Sequence, residues 1–162
     1  MAYKQNSFVP AAAMVGILCL SSCGREPEPA PVLPRVKQVF HLNPYEKDFG
    51  FSQAVLIDKT LYVSGTVAVD DKGQLVAPGD MAGQMRAAYS NIQRTLAAHG
   101  ADFGEVVKET IYTTDMEALV KASDLRFELY DKEMLPTTSW VQVQRLIDPG
   151  FLVQIEVVAE LP

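Results

Sequence analysis

The sequence predicts an α+β fold, a mostly antiparallel sheet with two helices on one face, and three observations carry that expectation. Two segments, 80–99 and 115–132, place apolar residues at helical spacing. Short runs rich in β-branched and aromatic residues, separated by turn residues, flank both segments. Near the end of the chain Val141, Val143, Phe151, Val153, Ile155 and Val157 are apolar while Gln142, Gln144, Gln154 and Glu156 are polar. A period of two packs one sheet face and leaves the other to water, a partner or a ligand. Helices gathered on the packed face complete the two layers.

Each element follows in turn. The domain is expected to start at Val36 or Lys37, with His41 in the first strand region. Residues 51–64 read as a hairpin, Ala54 to Ile57 before the Asp58-Lys59 turn and Leu61 to Val63 after it. A second turn follows at Asp70-Asp71-Lys72-Gly73, and Pro78-Gly79-Asp80 closes the β-rich part. Asp80 can cap a helix reaching about His99, with Gly100 as its stop, and Met81, Met85, Ala88, Ile92 and Leu96 form its core stripe. Residues 106–113 read as a strand. Asp115 can then cap a second helix running to about Lys132, with Ala118, Ala122, Leu125 and Leu129 buried and Pro136 beyond its end. Two strands, 139–146 and 151–159, finish the chain around the turn Ile147-Asp148-Pro149-Gly150. Trp140 falls on the polar face by parity, which suggests that another subunit covers that face.

The first 22 residues read differently. An uncharged apolar run from Phe8 to Leu20 follows Lys4, and its 13 residues fall short of the roughly 20 that span a bilayer. It fits the core of a signal peptide. Leu20-Ser21-Ser22-Cys23 resembles the lipobox of bacterial lipoproteins, in which the thiol of the cysteine, here Cys23, receives the lipid. Such a tether is stable, and Gly24, rather than Asp, after the cysteine implies sorting to the periplasmic face of the outer membrane. Residues 23–35, with Pro27, Pro29, Pro31 and Pro34, read as an extended spacer. Residues 36–162 are then one domain.

Cys19 lies in the expected signal peptide, so beyond Cys23 there is no cysteine for a disulfide or a nucleophile. Removing residues 1–22 takes away Lys4 and shifts the formal net charge from −6 to −7. The remaining cations are scattered among acids, which argues against a nucleic-acid partner. His41, His99 and the acids show no metal-ligand spacing, and no metal or cofactor is expected. Thr138 and Ser139 have no adjacent base for nucleophilic catalysis.

Three local sequences, with their spacing, go further. Leu61-Tyr62-Val63-Ser64-Gly65, Val106-Val107-Lys108-Glu109-Thr110-Ile111-Tyr112 followed by Thr114-Asp115, and Val153-Gln154-Ile155-Glu156-Val157-Val158-Ala159 resemble the RidA/YjgF family of reactive-intermediate deaminases. The resemblance covers residues 50–161. It implies a chorismate-mutase-like fold, a homotrimer and a small-molecule cleft at each subunit interface.

In deaminating members an arginine two residues after the proline preceding the penultimate strand grips the substrate carboxylate. Here Pro136 is followed by Thr137 and Thr138, so Thr138 stands at that position. Arg145 has the opposite parity to Thr138 and cannot simply replace it. The early aromatic hydroxyl corresponds to Phe51, the asparagine of the second helix to Ser123, and the cysteine near the arginine to Trp140. Gly65 and Glu156 persist, the first with a backbone amide a ligand could approach and the second resembling the acid that orders water for imine hydrolysis. Phe51, Ser64, Gly65, Ser123, Thr138 and Trp140 are thus the candidate ligand-binding residues and Glu156 the candidate catalytic residue. Two functions remain open: a divergent imine or enamine hydrolase, and a non-catalytic trimer that binds a less acidic, more apolar molecule. Endoribonuclease activity, a label attached to some relatives, fits poorly with the acidic charge and the lack of a histidine pair.

Overall fold

Turn chemistry sets the first hairpin of the domain and the turn that follows it. Asp58 adopts φ of 56°, a conformation Asp tolerates better than most residues, and reverses the chain between β2 (Ala54–Ile57) and β3 (Thr60–Thr66). In the next turn the Asp70 carboxylate accepts from the Lys72 and Gln74 amides, both at 2.9 Å. This is a computed structural model, and it describes residues 36–162. The expected signal peptide, Cys23 and the proline-rich spacer lie outside the described residues.

A six-stranded sheet runs in the order β1-β2-β3-β6-β4-β5. Its remaining strands are β1 (Lys37–Phe40), β4 (Val106–Thr113), β5 (Thr137–Gln142) and β6 (Val153–Glu160). All neighbouring strands pair antiparallel except β4 and β5, which are parallel. A single helical turn, α1 (Tyr45–Asp48), absent from the sequence expectations, sits in the loop after β1. The long helix α2 (Met81–Ala97) and the shorter α3 (Met116–Ala122) cover one face, so the mostly antiparallel α+β architecture is as expected.

The core is where the α2 stripe meets the odd residues of β6. Met85, Ala88, Ile92 and Leu96 are fully buried against Val153, Ile155, Val157 and Ala159. At roughly 25 cal/mol per Å² of apolar surface removed from water, this contact is the main favourable contribution to folding. Asp80 precedes α2 in extended conformation without a side-chain capping bond, contrary to expectation, whereas Asp115 does cap α3 through the Ala118 amide at 2.9 Å.

Two elements depart from the sequence reading. The second helix ends as an α-helix at Ala122 and tightens into a 3-10 segment, Ser123–Glu128. Its deepest side chains are Leu119, Arg126 and Tyr130, with Ala118, Ala122, Leu125 and Leu129 only partly buried. The tighter winding accompanies the turning of Arg126 inward to a buried acid, described below. In β5 the parity is reversed: Glu109 stands opposite Thr138 and Ile111 opposite Trp140, so both even residues share the helix side with the core of β4. Trp140 therefore packs against the core cluster, and Val141, expected inside, is 40% exposed on the open face.

Candidate functional site

The sequence-predicted residues occupy three places. Glu156 lies at the centre of the open face, beside Lys108, Thr110 and Tyr62 in a shallow depression. One of its oxygens accepts from the Tyr112 hydroxyl at 3.3 Å. Desolvation first, and then the neighbouring carboxylate, raise the Tyr112 phenol above its ordinary range, so Tyr112 remains a donor.

Thr138, Trp140 and Ser123 lie toward the helix side. The Ser123 hydroxyl donates to the Val120 carbonyl at 2.7 Å and so closes the end of α3. Thr138 enters a network that sequence reasoning missed. Glu109, 0% exposed, accepts from the Tyr89 and Tyr130 hydroxyls at 2.9 Å each and from Arg126 Nε at 2.7 Å. The Thr138 hydroxyl donates to the same carboxylate at 3.0 Å and accepts from Arg126 Nη2 at 2.9 Å. The guanidinium carbon sits 5.5 Å from the Tyr130 ring centre and 5.7 Å from that of Trp140. Burial, followed by the adjacent Glu109 charge, pushes both phenols far above their ordinary range, which keeps them protonated as donors.

This network gives Thr138 a chemical reason. A buried carboxylate needs a cation and several donors, and Arg126 reaches it from the helix layer with Thr138 filling the last acceptor direction. The space beside Thr138 already holds a guanidinium, but one neutralised by Glu109. The signals in the sequence were faint: Arg126 lies seven residues after Leu119 and four before Tyr130, a helical stripe, and Glu109 interrupts an otherwise β-forming run.

Phe51 and Gly65 occupy the third place, a cavity of about 130 Å³. Its walls come from the loop around α1 (Leu42, Tyr45, Phe49, Phe51), the end of β3 (Gly65, Thr66), Asn91 of α2 and the segment before β6 (Ile147, Phe151). Ser64 supports this wall without lining it, donating to the Ser52 carbonyl at 2.6 Å. Gly65 is covered on its Cα side by the Gln154 side chain, into which a Cβ would run. Among the described residues no cluster of three or more His, Cys, Asp or Glu could hold a metal ion.

Comparison with known proteins agrees with this architecture. Residues 45–161 match the family described as Endoribonuclease L-PSP. The chain is 35% identical over 109 residues to a Bos taurus 2-iminobutanoate/2-iminopropanoate deaminase, covering 67% of this chain and 78% of that one. It is 31% identical over 125 residues to a RutC family protein of Pyrococcus horikoshii, covering 76% of this chain and 98% of the relative. Among solved structures, a Rid family protein of unknown function from Yersinia pestis superposes with a TM-score of 0.71 at 30% identity, over 78% of this chain and all of that one.

Proposed function

The chain belongs to the Endoribonuclease L-PSP family, the RidA/YjgF group, and on that premise we propose that it binds a small molecule lacking a carboxylate, in clefts between the subunits of a homotrimer. The observation that carries this reading is the Arg126–Glu109–Thr138 network. The strand arginine that grips carboxylates in deaminating members is replaced by Thr138, and the guanidinium beside it is neutralised by Glu109 rather than left free for a ligand. Charge-assisted bidentate binding contributes roughly 2–3 kcal/mol per contact, so a 2-imino acid of the kind named for the bovine relative loses that much here.

Glu156 supports a catalytic form of the same reading. Among the described residues only the Tyr112 hydroxyl donates to it, by a long bond to one oxygen, which leaves the carboxylate able to order water at an imine or enamine carbon. The exposed Tyr62, Val141 and Val39 of the open face support its cover by a second copy. Cys23 would tether the trimer by lipid to the periplasmic face of the outer membrane, with residues 23–35 as the spacer.

The test uses the full chain in detergent with 2-iminobutanoate generated in place. Hydrolysis at the background rate, from a trimer by sedimentation, is expected. Turnover well above background that Glu156→Gln abolishes would overturn the carboxylate-free reading. Tethering is checked separately, by loss of the chain from the membrane fraction on Cys23→Ser.

A further inference from the structure

The cavity lined by Phe51 is built, and its construction specifies a ligand. Glu46, 1% exposed, accepts from the Leu42 and Asn43 amides at 3.0 and 2.9 Å, and its carbonyl accepts from the Phe51 amide at 3.0 Å. A buried acid is thus satisfied by the backbone of the loop that forms the cavity wall, and this fixes the wall in place.

Gln53 supplies the polar contact. The Thr66 hydroxyl has one proton, which goes to the Ser64 carbonyl at 2.8 Å. Its 2.9 Å bond with Gln53 must then use a Gln53 amide N–H. That assignment orients the amide: the carbonyl oxygen of Gln53 faces the other way, without a donor among the described residues, in a side chain that lines the cavity.

The remaining walls are mostly apolar, and among the described residues no charged side chain lines the space. An anion entering it would lose its hydration with no cation to replace it. The volume of about 130 Å³ is close to the roughly 150 Å³ of apolar cavities that hold a benzene ring. We propose that this cavity binds a neutral molecule of single-ring size that gives one O–H or N–H to the Gln53 carbonyl oxygen. This deepens the small-molecule reading above and rests on it for the presence of a ligand, but not for chemistry at Glu156.

Phenol, anisole, toluene and benzoate are suitable probes, titrated by NMR against the full chain in detergent, with each probe's partition into protein-free detergent subtracted. Phenol should bind about 3- to 10-fold more tightly than toluene, the worth of one neutral hydrogen bond. Anisole, whose oxygen carries no proton, should match toluene, and benzoate should bind most weakly. In Gln53→Met phenol should fall to the toluene affinity, while toluene binding reports that the cavity survives. Should that variant bind neither, the phenol-to-anisole ratio in the chain with native Gln53 decides. Benzoate binding as tightly as phenol, equal affinities for phenol and anisole, or no saturable phenol binding below about 10 mM would overturn the proposal. The imine assay reads hydrolysis separately, so none of these outcomes decides the reading at Glu156.

Discussion

Replacing Arg126 by Met separates the buried network from a mere surface ion pair. Arg126 is 7% exposed and Glu109 0% exposed, with Nη2 and Oε2 2.7 Å apart. Methionine keeps most of the side-chain volume but leaves the carboxylate buried with only hydroxyl donors, those of Tyr89, Tyr130 and Thr138. Breaking a buried pair on one side costs about 3–5 kcal/mol. At roughly 4 °C per kcal/mol for a domain of this size, Tm should fall by about 12–20 °C. Urea unfolding followed by circular dichroism reads the same loss as a free energy. The double variant with Glu109→Gln should lose at least about 2 kcal/mol less than the two single losses combined, since neither charge is then stranded. A loss below about 1 kcal/mol would refute the coupling and with it the physical account of Thr138.

Thr138→Arg should not restore 2-iminobutanoate hydrolysis and should destabilise the fold by about 1–3 kcal/mol, because the new cation displaces a hydroxyl bonded to Glu109 and meets Arg126; thermal melts and the imine assay read the two effects. Tyr89 and Tyr130 should withhold their protons at alkaline pH while the fold persists, so absorbance titration should show two of the six tyrosines ionising only on unfolding. Their folded pKa values lie above the unfolded one, so the stability they contribute is complete below about pH 10 and is lost as pH rises beyond it. Gly65→Ala should cost about 1 kcal/mol by displacing the Gln154 side chain, and Gln154→Ala in the same chain should recover it, as measured by urea midpoints. Glu46→Ala should cost roughly 2–3 kcal/mol and speed amide exchange at Leu42 and Asn43, whose N–H groups lose their acceptors.

Local signals in the chain were sufficient for the elements whose causes are local. The strand 106–113 was placed to the residue, because its β-branched run ends in the capping Asp115. The α2 stripe and the β6 alternation both proved to be core-facing, and the Asp58 turn separates β2 from β3 as its chemistry requires. The candidate residues were named from a resemblance whose cleft joins two subunits; within one chain Ser64 and Gly65 adjoin Glu156 across the β3–β6 bulge, while Phe51 lines the cavity and Thr138 and Trp140 lie on the helix side.

By itself, then, the sequence determined the α+β class, the succession of elements and the absence of an arginine at position 138. Only the tertiary structure decided which way β5 faces. Parity carried across residues 143–150 assumed that β5 and β6 share one phase, but β5 pairs with β4, and that register turns Trp140 inward. It also decided that Glu109 and Arg126, 17 residues apart, meet inside the protein, where local patterns read charged residues as exposed. Phase between strands and the pairing of buried charges are set by contacts distant in sequence, and no local period encodes them.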